Sequence, residues 1–462
     1  MKNNDILFCT DAMKENHRKA MEIDYEIHRD LRVEIVPNGI IHPLEIPEGG
    51  REEYNNYGGV TDENLNFIEL SLMKRDKGFS VDIDDTDKMF VGANLNRDFS
   101  NIDYVDETVV YIGPMHCNIS HFYLESFSRW WYFLDNKNLK YKIAYMTMVT
   151  VNYLVEIHKE FLELLGIKQE KLIKIDRPIK FKNVIIPEQA MSLNLFYHQK
   201  YKELFDKISR DIEPINHKKI YFSKSCNINI ERHIGTLLMD KIYSKNGYKV
   251  LYPELLSIRD MIAVLKNCEE FVAQSGSNAH NAIFLSDNTK ITILNRSAHF
   301  HPCQTMINKI RNLKVTYVDC FCEELPVDWC YGPFIFLYTN KLKQYLDANK
   351  FTYNAKKLKK ENISNLTKYC GVWEYQYTKL TPFAIDNNCI NKKTFIKFIS
   401  FINKYFNETY KNINSSKKID IMKKSYLFGL IQKQIYNHRP IKVSWKIFGK
   451  EFLRYKAPKS FI

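Results

Sequence analysis

The sequence predicts an α/β protein containing Rossmann-like units, on three observations. Its 462 residues exceed what one ordinary core can bury, so two domains are expected, with an appendage. Hydrophobic residues at 45% and aromatics at 14% are ample for both cores. Between residues 219 and 318, short apolar runs alternate strictly with helical stretches, the signature of a parallel sheet with crossover helices.

The alternation is clearest in the second half. Strands are expected at 219–223, 248–252, 270–273, 290–294 and 314–318, with helices at 230–244, 258–267 and 279–285. Ile230, Ile234, Leu237, Leu238 and Ile242 share one side of the first of these helices. The first half gives strands at 67–73, 89–95, 109–113, 142–146, 172–175 and 184–187, and helices at 119–134, 151–165 and 195–211. Residues 1–60 predict no long element, because Pro37, Pro43, Pro47 and the Gly49-Gly50 and Gly58-Gly59 pairs interrupt them. The segment 210–217, with Pro214, reads as a linker. The expected domains are therefore 1–213, 214–330 and an extension, 331–462, of helical character.

Composition narrows the function classes. No stretch approaches eighteen consecutive apolar residues, and the amino terminus has too short an apolar run for a signal peptide. The ten cysteines lack metal-type pairing; Cys320-Phe-Cys322 has the wrong spacing for a zinc knuckle. A cytoplasmic protein with reduced thiols is expected. The net charge of +13 is concentrated at the end: residues 404–462 hold fourteen Lys or Arg against Glu408, Asp420 and Glu451. Tyr426, Phe428, Trp445, Phe448 and Phe452 interleave with them. That mixture suits a peripheral contact with an anionic membrane, or simply a solvated basic helix. Nucleic acid is not expected, since no recognised nucleic-acid motif accompanies the charge.

Two constellations carry chemistry. In His116-Cys-Asn-Ile-Ser-His121-Phe-Tyr-Leu-Glu125-Ser-Phe-Ser-Arg129-Trp-Trp, the helical repeat places His121, Glu125 and Arg129 on one face. Such polar groups on an aromatic helix are costly unless each finds a partner, so they form either a site or a structural network. In the second, a strand runs into Gln274-Ser-Gly-Ser-Asn278-Ala-His280-Asn281. Small residues there let a phosphate approach the backbone, although a plain tight turn has the same composition. Lys224, at the end of a neighbouring strand, and Arg232 are cations able to face the same anion.

In this order and separation, both constellations resemble glycosyltransferase family 61, over roughly residues 105–295. His121, Glu125 and Arg129 match the family's aromatic helix position by position. Ser223-Lys224, Arg232, Gly247-Tyr248…Pro253-Glu254…Ser257 and the turn 273–281 resemble its carboxyl-terminal motifs. The resemblance implies a GT-B arrangement of two Rossmann-like domains facing across a cleft, with inversion at the anomeric carbon. A nucleotide sugar would be the donor, and a glycan or lipid-linked oligosaccharide of a capsule or lipopolysaccharide the acceptor. No cofactor or metal is expected. Glu125 is the preferred base with His121 orienting it, or the reverse, and Arg129 holds the carboxylate or reaches the diphosphate. Lys224, Arg232, Glu254, Ser275, Gly276, Ser277, Asn278, His280 and Asn281 would bind the donor. The chain departs from the family where Lys224 replaces an Arg, Ser275 a His and Asn278 a Gly; His280 is a substitute imidazole. Two other readings compete: a metal-dependent transferase using Asp82-Ile-Asp84-Asp85, and a non-catalytic glycan- or lipid-binding component.

Overall fold

The computed structural model describes residues 5–48, 55–76, 86–227, 232–323, 325 and 332–378, together with four strands between 421 and 456. Asp82, Asp84 and Asp85 lie outside the described residues. The architecture is mixed α/β, built around two large sheets.

The carboxyl-terminal sheet has six strands, all parallel, in the order Lys249–Leu251, Lys219–Phe222, Glu270–Gln274, Lys290–Asn295, Lys314–Asp319 and Ile6–Phe8. Five of them are the strands expected from the alternation. The sixth comes from the start of the chain, so residues 6–8 complete the edge of a sheet otherwise made 210 residues later. Because Lys219–Phe222 lies between the strands that follow it in sequence, the order reverses beside Glu270–Gln274. Ligands bind open α/β sheets at the carboxyl ends of the strands flanking such a reversal. Lys224 and the 275–281 turn leave the sheet at that place.

The amino-terminal sheet has eight strands and is mixed. Leu172–Lys174, Lys142–Thr147, Asp103–Met115 and Ile179–Pro187 are parallel neighbours, whereas Ile40–Glu45 and Asn56–Thr61 join antiparallel. The described residues between 5 and 61 therefore hold more regular structure than their Pro and Gly content predicts: four strands and the helix Asp11–Glu22. Gly58 and Gly59 lie within a strand because there is no room for a side chain. A Cβ on Gly58 would come within 2.6 Å of Phe90, and one on Gly59 within 2.9 Å of Phe67 and Ser71.

One apolar core is continuous between the two sheets, and the aromatic segment lies in it. Phe122, Tyr123, Phe127, Trp130 and Phe133 are buried. Tyr123 packs edge-on against Phe205 and Phe284, and Phe127 against Phe161 at 4.9 Å. Each such ring contributes about 1.5–3 kcal/mol by leaving water, which fixes the segment firmly.

Three expected helices are revised. The α-helix Ile119–Leu124 stops at Glu125 (φ −127°, ψ −63°) and continues as the 3₁₀ turn Ser126–Leu134. The helix expected at 230–244 begins only at Thr236, after the short strand His233–Ile234 and Gly235 at φ +84°. The carboxyl-terminal extension is helical through Asn340–Ala348 and Ala355–Thr378, but the basic tail, in its described residues, is made of strands. It forms the antiparallel strands Ile421–Tyr426, Ile431–Tyr436, Lys442–Ile447 and Lys450–Lys456. In Lys442–Ile447, Lys442, Ser444 and Lys446 alternate with Val443, Trp445 and Ile447 at period two, whereas the other three strands lack so regular a pattern. Among the described residues, no helix is long and apolar enough to cross a membrane.

Candidate active site

The strand Asp103–Met115 delivers the chain to His116, and Asn118 then starts the aromatic helix, its side chain accepting from the Ser120 amide at 2.9 Å. One turn later His121 meets Glu125, with Nδ1 2.5 Å from Oε2. The other carboxylate oxygen lies 2.7 Å from Nε of Arg75, and both Glu125 and Arg75 are buried. Burial pushes the Glu125 carboxyl up, but Arg75 and His121 outweigh it and hold it at about 2. An ionised carboxylate only accepts, so it is His121 Nδ1 that carries the proton between them. The His121 side chain is 38% exposed, whereas Glu125 is fully covered.

Arg129 is brought close but not into this pair. Because the helix breaks at Glu125, its guanidinium turns toward the amino-terminal sheet, where Nη2 donates to the carbonyls of Leu70 and Leu72 at 2.8 and 2.7 Å. It also lies 5.6 Å from the Tyr111 ring centre. Those carbonyls belong to the segment leading to Arg75, whose neighbour Lys74 is held by Gln189 and Ser192. Arg129 thus anchors the segment that brings Arg75 to the carboxylate. No sequence signal marked Arg75, which comes from fifty residues upstream.

Two further histidines lie beside the pair. His116 stacks obliquely 5.3 Å from His121, is buried, and is driven down to about 3 by burial. His158 Nε2 donates to the His116 carbonyl at 2.8 Å, while its Nδ1 accepts from the Val155 amide.

The second constellation meets the first directly. Gly276 adopts φ +96° and ψ −153°, a conformation open essentially to glycine alone, and the short helix Ser277–His280 follows. His280 Nδ1 lies 3.1 Å from Ser120 Oγ, and its Nε2 is 3.5 Å from Cys303 Sγ. Asn281 Oδ1 accepts from the Tyr123 hydroxyl at 3.4 Å. Asn278 reaches back to the Phe222 carbonyl, tying the turn to the strand that ends in Lys224. Ser275 Oγ accepts from the Arg296 amide.

Lys224 is buried, and burial with the nearby Arg296 charge lowers its ammonium to about 7. Glu254 is exposed at the rim, accepting from Asn227, and its charge favours protonated Lys224. Arg232 is half-buried beside His233. Arg296 itself was not expected. It leaves the carboxyl end of Lys290–Asn295, stacks 3.6 Å from the Phe334 ring centre, and donates to His233 Nδ1 at 3.3 Å. The carboxyl-end rule that singled out Lys224, applied one strand further, reaches it. Ser275 and Gly276 border a concavity that His299, His301, Asn295 and Gln304 also line.

The arrangement therefore joins a carboxylate-oriented imidazole to a glycine turn backed by buried cations, which suits transfer of a group from a phosphate leaving group to a hydroxyl. No curated protein matches the chain. A family model, Glycosyltransferase 61, matches residues 119–292, running from the first turn of the aromatic helix past the Ser-Gly-Ser turn. Residues 119–292, which include His121, Glu125, Lys224 and the Gly276 turn, are thus similar to glycosyltransferase family 61.

Proposed function

We propose that the chain is an inverting, metal-independent transferase of a hexosyl, N-acetylhexosaminyl or pentosyl group from a nucleoside-diphosphate donor. His121 is its base and Glu125 the residue that orients it. The observation that carries this reading is the His121–Glu125–Arg75 network. Held at about 2 and covered, Glu125 is too weak a base and too enclosed to meet an acceptor. The half-exposed His121 presents Nε2 instead. This reverses the order of preference drawn from the resemblance, because the sequence does not reveal Arg75.

In the proposed reaction, the acceptor oxygen bonds to the anomeric carbon opposite the diphosphate. The carbon–oxygen bond to the diphosphate breaks with its electron pair left on the phosphate, and the acceptor proton passes to His121 Nε2. Lys224, Arg232 and the backbone of Ser275–Asn278 stabilise the departing charge, which is the support for metal independence. Asn281 and His280 hold the turn against the aromatic helix, and Glu254 edges the donor site. We place the acceptor among lipid-linked or free glycans of a surface polysaccharide, at the inner membrane face, on the strength of the basic, aromatic sequence of residues 404–462.

A panel of nucleotide sugars assayed for thermal stabilisation and then for transfer, with EDTA present, tests the reading. One donor should raise the melting temperature and be turned over by the native chain. Stabilisation without transfer or hydrolysis would make it a binding component, and inhibition by EDTA would restore a metal.

A further inference from the structure

Two cations are buried beside the reversal of the carboxyl-terminal sheet, and of the carboxylates only the exposed Glu254 is seen to favour the charged form of one of them, Lys224. Lys224 is 8% exposed and Arg296 9% exposed. Among the described residues, neither forms an ion pair; the Arg296 guanidinium touches a neutral imidazole and an aromatic face. They belong to strands on either side of Glu270–Gln274, whose continuation is the Gly276 turn. The guanidinium lies so close to that turn that a Cβ on Gly276 would be 3.0 Å from Nη2. Elsewhere Glu125 is paired with Arg75, and Glu188 with Arg29 and Arg32, while the buried Arg129 donates to the Leu70 and Leu72 carbonyls. Leaving two like charges uncompensated in a low-dielectric site costs stability unless an anion completes it.

We infer that Arg296 and Lys224 form a two-cation clamp for the diphosphate of the donor, with the guanidinium supplying the bidentate fork that a lysine at position 224 lacks. The inference rests on the transferase reading and extends it to a residue beyond the family match, which ends at 292. Arg296 stacks on Phe334 and lies against Gly276, so its planar group is held in place before the ligand arrives. A nucleoside diphosphate presents two phosphates to two cations. A nucleoside monophosphate donor would leave one of them uncompensated.

The test is thermal unfolding and calorimetric titration of the full chain and its R296M, R296K and K224M variants with inorganic pyrophosphate and with UDP, GDP and ADP. Pyrophosphate should stabilise the native chain, and R296M should bind it about tenfold more weakly or worse, since a charge-assisted bond is lost. R296K should fall between the two. Without ligand, R296M should melt at the native temperature or above, because methionine keeps the ring contact and removes an uncompensated charge. A purely structural arginine predicts the opposite pair of results: a lower melting temperature, or no folded variant, with pyrophosphate binding retained. Either of these overturns the clamp. Loss of binding in K224M alone would refute Arg296 and leave the donor reading intact. No stabilisation of the native chain by pyrophosphate or any of the three nucleotides would refute both.

Discussion

The two halves of the site treat buried charge in opposite ways. On the aromatic helix, Glu125 is buried between Arg75 and His121, so the charges neutralise one another and the network is complete without substrate. Across the Ser120–His280 contact, Lys224 and Arg296 are also buried, though less deeply, with neither in an ion pair among the described residues. The first arrangement holds a proton acceptor in one orientation. The second is left for a ligand to finish. Substitutions at the two places should therefore move rate and stability in different combinations.

The largest expected effect is on rate. Removing the imidazole with H121A should lower kcat by about 10² to 10⁴-fold, the range for a general base, with donor affinity unchanged. Added imidazole should restore part of the rate. E125Q should also slow the reaction, because a neutral amide no longer fixes the tautomer, but imidazole should not help it. A near-native rate in H121A would return the base role to Glu125 and break the contrast drawn here.

Stability comes next. R75M strands a buried carboxylate and should cost about 3–5 kcal/mol in denaturant unfolding, whereas R296M should cost none. Equal losses in both would mean that Arg296 is as structural as Arg75.

The two networks should also respond to pH in different windows. The Glu125 carboxyl is held at about 2, below its ordinary value of 4.5. It therefore contributes stability above pH 4.5 that is lost as pH falls toward 2, and E125Q should flatten that limb of the unfolding curve. Lys224 is lowered to about 7 from 10.5. Its charged form burdens the native state below pH 7, and that burden lifts as pH rises toward 10.5. Pyrophosphate needs the charged form, so its affinity should fall above pH 7, by at most about tenfold per pH unit, and K224M should abolish the slope. A flat profile would show that another group holds the anion.

How much of this was legible in the sequence follows from how local each feature is. The parallel sheet could be read because each strand and helix declares itself within ten residues. His121 with Glu125, and the Gly276 turn, were legible for the same reason. Arg129 misled because spacing assumes an unbroken helix, and the break at Glu125 turned it to the Leu70 and Leu72 carbonyls. Arg75 and Arg296 are single arginines in unremarkable contexts, and only tertiary packing brings them to the site. The strand Asn56–Thr61 was hidden because Gly58 and Gly59, which read as breakers, lie within it against Phe90 and Phe67. The strands of the tail were hidden because only Lys442–Ile447 shows a clean period of two amid the charge.

The smallest expected effect lies at the joint between the halves. Ser120 Oγ and His280 Nδ1 are 3.1 Å apart, with neither side chain charged, since burial and the surrounding cations drive His280 down to about 3. A neutral hydrogen bond of this kind is worth about 0.5–1.5 kcal/mol, and S120A should lose that much in denaturant unfolding. The second link, from the Tyr123 hydroxyl to Asn281, is longer at 3.4 Å, and Y123F should lose less. If the two bonds hold the turn at one angle to the aromatic helix, the double variant should lose more than the sum of the singles, because each bond limits what loss of the other can release. The same coupling should appear in kcat, where the distance from His121 to the anomeric carbon matters, and more weakly in pyrophosphate affinity, to which the cations contribute most. Strict additivity in both stability and kcat would show that the halves are aligned by the shared aromatic core and that the polar joint adds little.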